Sequence, residues 1–89
     1  AVIHIKEIRL RPKTERHDLM VKIKHIKDFL DKQDKVKISM MFRGREIAFT
    51  EIGRRLMDEI KKELVDYCVI DQDARFEGRN MVMIVSPKK

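Results

Sequence analysis

Apolar residues in this chain recur with a period of two in some stretches and with helical spacing in others, and the two periods alternate along its length. That alternation restricts the fold to a sheet layered with helices. Ile8 and Leu10 alternate with Glu7, Arg9 and Arg11, predicting a strand over Lys6–Arg11 that Pro12 ends. Leu19, Ile23, Ile26 and Leu30 then fall on one face of a helix from Asp18, as N-cap, to about Lys32, and Phe29 widens the stripe. Val36, Ile38, Met40 and Phe42 alternate through a second strand that stops at Gly44. A second helix is expected from about Thr50 as cap, with Ile52, Leu56, Ile60 and Leu64 on its inner stripe and Met57 and Val65 beside it.

The last third reads as an antiparallel hairpin. Tyr67–Ile70 and Arg75–Phe76 bracket a polar loop, Asp71-Gln72-Asp73, and Met81, Met83 and Val85 alternate with Val82, Ile84 and Ser86 after a turn at Gly78. This last strand is apolar on both faces, which suits the interior of a sheet. The order is βαβαββ, in the α+β class. Right-handed crossovers place both helices on one face of a mixed four-stranded sheet, giving a two-layer α/β sandwich. The other face then presents Arg9, Arg11, Lys37 and Met41 to solvent or to a partner. Gly53 falls in the first turns of the second helix, where close packing of helix on sheet accounts for it best. Ile3 and Ile5 are out of phase with Ile8 and Leu10, so residues 1–5 either pair out of phase or end a linker.

Eighty-nine residues support one domain with a modest core. The longest apolar run, Met81–Val85, is far too short to span a membrane, and a soluble protein is expected. The single cysteine, Cys68, forms no internal disulfide, pointing to a reducing compartment, and reads as a small buried strand residue. A formal charge of +6 favours a polyanionic partner. The excess is uneven: residues 1–13 are strongly basic, whereas the stretch Ile47–Asp66 is nearly balanced.

Two arginine–glycine corners sharpen that reading: Arg43-Gly44-Arg45-Glu46 and Glu77-Gly78-Arg79-Asn80. Glycine is expected at both because the backbone turns where a Cβ would clash, and the guanidinium groups then project from rigid points toward phosphate. On the first helix, Lys22 and Lys24 lack the neighbouring acids that accompany Lys27 and Lys32. His4, His17 and His25 have no metal-ligand spacing, and neither a Gly-rich phosphate loop nor a GxSxG elbow is present. Asp71 and Asp73 are explained by a solvated loop rather than by catalysis. The chain therefore reads as a binding domain without enzymatic activity, metal or cofactor. The order differs from that of an RNA-recognition motif, there is no GxxG clamp, and few aromatics are free to stack on bases. Backbone contact with folded nucleic acid remains.

The motifs Lys6-Glu7-Ile8-Arg9-Leu10-Arg11-Pro12, His17-Asp18, Phe29-Leu30, Phe42-Arg43-Gly44-Arg45-Glu46, Glu51-Ile52-Gly53 and Glu77-Gly78-Arg79-Asn80-Met81 occur in the order and spacing of a known family. The chain resembles the C-terminal domain of bacterial translation initiation factor 3, over nearly its whole length. The resemblance implies an RNA-binding domain over residues 6–89 that docks on ribosomal RNA at the platform of the small ribosomal subunit and keeps the large subunit from joining prematurely. It further implies an influence on initiator tRNA and start-codon selection, a monomer in the cytoplasm of a bacterium or in an organelle, and an N-terminal domain joined through a linker that ends at residues 1–5.

Carried over by position, Arg11, Lys22, Lys24, Arg43, Arg45 and Arg79 are the expected RNA contacts, with Arg9, Lys27 and Arg55 as additional ones. Met41, Asp28 and Glu59 stand where the resemblance leads one to expect basic residues. An alternative from another class is a protein-interaction module that uses the open sheet face around Met41.

Overall fold

The structure, a computed structural model, describes residues 4–88. Four strands and two helices follow the expected order: β1 (Ile5–Leu10), α1 (Arg16–Asp31), β2 (Lys35–Met41), α2 (Thr50–Leu64), β3 (Cys68–Glu77) and β4 (Asn80–Pro87). The sheet runs β1-β2-β4-β3, with β1 parallel to β2 and the remaining pairs antiparallel. The doubly apolar β4 is thus interior. Along the registers Ile8–Ile38–Met83 and Leu10–Met40–Met81 the side chains point to one face and are buried. There they join Leu19, Ile23, Ile26 and Leu30 of α1 and Met57, Ile60 and Leu64 of α2 in one core, so both helices cover that face. The fold is an α+β two-layer sandwich.

Several boundaries depart from the expected pattern, each for a physical reason. β1 begins at Ile5, which pairs with Lys35, while residues 1–3 of the expected linker end lie outside the described residues. Asp18 is not the N-cap of α1; the cap position is Glu15, and Asp18 lies in the first turn, where its charge suits the helix dipole. α1 closes on Gln33 in the left-handed region, φ 69°, with the Gln33 and Asp34 N–H groups donating to the Leu30 and Phe29 carbonyls. Between β2 and α2 the chain forms a 3-10 helix, Gly44–Phe49, so Phe49 rather than Thr50 occupies the cap position of α2. The stretch Asp71–Asp73 is part of β3, not a loop, and the register shifts that accommodate it fall between Ile70 and Arg75.

The inner face of α2 is also rotated from expectation. Gly53, Met57, Ile60 and Leu64 are buried, whereas Ile52 is 43% exposed. Strict i+4 spacing drifts by about 40° per step around a helix, so Ile52 and Leu64 cannot share one face. Gly53 takes the inner position because the ring of Phe42 lies against its Cα. A Cβ there would overlap the Phe42 ring and stand 2.9 Å from the Met40 sulfur.

The two corner glycines behave differently. Gly78 has φ 67°, and the turn depends on it. Gly44 has no positive φ, and nothing lies within 4 Å of a Cβ added to it, so the expected clash is absent at that corner.

Gly53→Ala is expected to lower stability by about 1–3 kcal/mol in urea unfolding through overpacking, although alanine is the better helix former by about 1 kcal/mol. Gly44→Ala is expected to change stability by less than about 0.5 kcal/mol.

Candidate nucleic-acid interface

Arg11 leaves β1 at a turn fastened by one side chain. The Thr14 hydroxyl accepts from the Arg11 N–H at 3.2 Å and donates to the Arg11 carbonyl at 2.5 Å, and the Thr14 N–H adds a bond to the same carbonyl at 3.1 Å. With Pro12 buried, the backbone that carries the exposed Arg11 is fixed. The corner at Arg43 is fixed in another way. Its N–H donates to Glu46 Oε1 at 3.0 Å, while the Glu46 N–H donates to the Arg43 carbonyl at 2.6 Å. Glu46 thereby satisfies backbone rather than neutralising a guanidinium.

Two contacts bring the corners to one end of the sheet, beside a groove. The Phe42 N–H donates to the Arg79 carbonyl at 3.0 Å, joining the two arginine–glycine segments. Lys13 Nζ sits 5.3 Å from the centre of the Phe49 ring, tying the β1–α1 turn to the 3-10 helix. An open groove of about 680 Å³ is lined by Arg9, Arg11, Lys13, Lys22 and Met41, among others. The carboxyl ends of β1 and β2, the start of β4 and the end of β3 all meet there.

Among the described residues, Arg11, Lys22, Arg43, Arg45 and Arg79 have no carboxylate within 4 Å; the cations in ion pairs are Arg9, Arg16, Lys35, Lys61 and Arg75. Unpaired cations on fixed backbone make a preorganised anion-binding surface.

The other expected cations are placed differently. Lys24 and Arg55 are exposed on the helices, and neither the two converging contacts nor the groove includes them. Lys27 Nζ lies 4.6 Å from the centre of the Tyr67 ring, at the far end of the sheet where α2 gives way to β3. Arg9 lies in the cluster but also contacts Glu7 at 3.4 Å.

Sequence reasoning missed Lys13, whose turn neighbours Pro12 and Thr14 were a usable signal. It also missed Arg75, which the register places in the row Arg9–Ser39–Val82–Arg75 across the open face.

With the geometry described, comparison with known proteins is decisive. The family described as Translation initiation factor IF-3, C-terminal domain, matches residues 3–88. The chain belongs to that family. Curated relatives named Translation initiation factor IF-3 include those of Geobacter sulfurreducens, 48% identical over 97% of this chain and 50% of the relative, and Clostridium perfringens, 47% identical over 99% and 50%. The relative from Bradyrhizobium diazoefficiens is 46% identical over 97% of this chain and 48% of its own length. The chain spans about half the length of these curated relatives. The family is one of translation initiation factors, which are not enzymes.

In this initiation factor domain several acids are occupied by the fold. Glu59 contacts Arg16, tying α2 to the start of α1; the contact is ionic rather than an aligned hydrogen bond, and Glu59 Oε2 has no donor in hydrogen-bonding geometry. Asp73 accepts from Lys61 at 2.7 Å, joining β3 to α2, and Asp71 contacts both Lys35, at 3.1 Å, and the Ser86 hydroxyl. The Lys61 hydrogen bond, with the Ala74 N–H second, holds the Asp73 carboxyl below the usual carboxylate range. The Ser86 hydroxyl, followed by Lys35, does the same for Asp71. Lys61 is raised in turn, chiefly by its bond to Asp73. Burial pushes the Cys68 thiol up, so this buried strand residue stays protonated and unreactive.

Among the described residues no group of three or more histidine, cysteine, aspartate or glutamate side chains is placed to hold a metal, and no helix is long and apolar enough to cross a membrane.

Because the Asp73 pKa is lowered on folding, its stabilisation exists above the unfolded value of about 3.9 and is lost as pH falls through the lower folded value. Asp73→Asn is expected to cost at most about 1 kcal/mol at neutral pH, since the pair is largely solvated. Thermal unfolding across pH should show the variant and the parent chain converging as pH falls below the usual carboxylate range.

Proposed function

We propose that this domain binds ribosomal RNA on the platform of the small ribosomal subunit and, by occupying that surface, keeps the large subunit from joining prematurely. The observation that carries the reading is the convergence of unpaired Arg11, Lys22, Arg43, Arg45 and Arg79 at one end of the sheet, supported by membership of the initiation factor family. Arg11, Arg43 and Arg79 sit on backbone fixed by hydrogen bonds, which lowers the cost of ordering the cations against phosphates. The cluster reads phosphate placement and groove shape of folded RNA, with no cofactor and no covalent step. Lys24 and Arg55 lie outside it on the helices, and Lys27 is at the far end of the sheet. The influence on initiator tRNA and start-codon choice is indirect, through the shape of the occupied platform. The domain acts as a monomer in the cytoplasm, and the segment that precedes β1 is the end of a linker from an N-terminal domain.

The alternative, a protein-interaction module on the open sheet face, finds less support. Met41, Ile5 and Val69 are exposed there, but Ile5 and Val69 sit on opposite edge strands and Met41 at the other end of the sheet, with Val82 only 2% exposed between, so the apolar surface is scattered.

Sedimentation with isolated small ribosomal subunits at two salt concentrations tests the proposal. Binding that weakens steeply with salt, with reduced pairing of small and large subunits, is expected; no binding at low salt contradicts it. Arg43→Ala and Arg79→Ala are each expected to reduce the magnitude of the log–log salt slope by about 0.9. An unchanged slope removes that residue from the phosphate contacts.

A further inference from the structure

We infer that the groove beside the carboxyl ends of β1 and β2 receives one unpaired nucleotide of the bound RNA, with its phosphate between Arg11 and Lys22 and its base against Met41. The inference rests on the RNA-binding reading and adds the kind of RNA feature that is recognised. The groove is open on one side, and its volume of about 680 Å³ has room for one nucleotide. Its lining is divided by chemistry. Arg11 and Lys22 supply positive charge without a carboxylate partner within 4 Å among the described residues, whereas Leu10 and Met41 supply an apolar wall. Lys13, the other cation of the β1–α1 turn, has its ammonium over the Phe49 ring.

The apolar wall is what distinguishes an unpaired nucleotide from a duplex. A duplex presents phosphates and sugars at its surface and keeps its base faces stacked inside, so it would meet the cations and leave Met41 against water. An extruded base has two exposed faces, and a flexible, polarisable thioether covers one of them. Met41 stands free for this role, being 43% exposed and lining a second hollow of about 160 Å³ on the open sheet face as well. Glu15 and Asp18, also in the groove, oppose a second phosphate and offer acceptors to the amino and imino groups of a base. The site thus fits a single nucleotide, and the phosphates that flank it fall to the arginine corners.

The test compares two stem-loop RNAs, one with an uninterrupted stem and one whose stem carries a single extruded nucleotide, using the parent chain and Met41→Ala. The parent chain is expected to bind the interrupted stem about fivefold more tightly, the size of a modest base contact. Met41→Ala should abolish that preference while leaving affinity for the uninterrupted stem unchanged. Its thermal unfolding should match the parent's, since the side chain is exposed. In a methyl-labelled sample, the Met41 signal should shift with the interrupted stem only. Equal binding of both RNAs by the parent chain, or a preference that survives in Met41→Ala, overturns the groove assignment and leaves the RNA-binding reading intact. Failure to bind either RNA at low salt overturns both.

Discussion

The contact between the Phe42 ring and the bare Cα of Gly53 is the constraint on which the interface depends. Phe42 follows β2 and continues its buried row, and its ring carries α2 close against the sheet because position 53 has no side chain. The same ring meets Phe76 of β3 with centroids 5.5 Å apart, and its backbone N–H binds the Arg79 carbonyl in the β3–β4 turn. One residue therefore fixes a helix, an edge strand and a turn. The next residue is Arg43. A truncation such as Phe42→Ala would cost about 3–5 kcal/mol in a core of this kind, through loss of the ring contacts to α2 and Phe76, while the backbone N–H keeps its bond to Arg79.

Electrostatics complement that packing through a division of labour among the acids. Glu46 holds the Arg43 backbone, Glu59 contacts Arg16 between the helices, and Asp71 and Asp73 fasten β3 to its neighbours through Lys35, Ser86 and Lys61. Exposed pairs of this sort contribute little stability individually, about 0–1 kcal/mol each. Their larger effect is spatial: these acids are unavailable to neutralise Arg43, Arg45 and Arg79, while Glu15 and Asp18, which share the groove with Arg11, form no ion pair with it among the described residues. The net charge of +6 consequently has a preferred location.

Periodicity made most of the fold legible, because Ile8 and Leu10, the α1 stripe, and the alternating residues of β2 and β4 each pack locally regular elements. It misled where tertiary contact overrides spacing. Ile52 fits an i+4 series yet is exposed, because Phe42 requires glycine at the inner position. The 3-10 helix has no apolar period to read, and the end of α1 falls at Gln33, where no glycine marks it. Asp71 and Asp73 suggested a loop because their partners lie on other elements. At the interface the arginine–glycine corners and Arg11 were visible as residue types. Their proximity was not, since it rests on the Phe42–Arg79 and Lys13–Phe49 contacts between distant parts of the chain.

Lysine-directed chemical footprinting of this chain, free and bound to small ribosomal subunits, tests the central claim most directly. Lys13 and Lys22 line the groove at the cationic end of the sheet, whereas Lys27 packs on Tyr67 at the other end and Lys62 lies in the last turn of α2. Protection of Lys13 and Lys22 on binding, with Lys27 and Lys62 as reactive as in the free chain, is the predicted result. Protection of Lys27 and Lys62 with Lys13 and Lys22 left open would contradict the account.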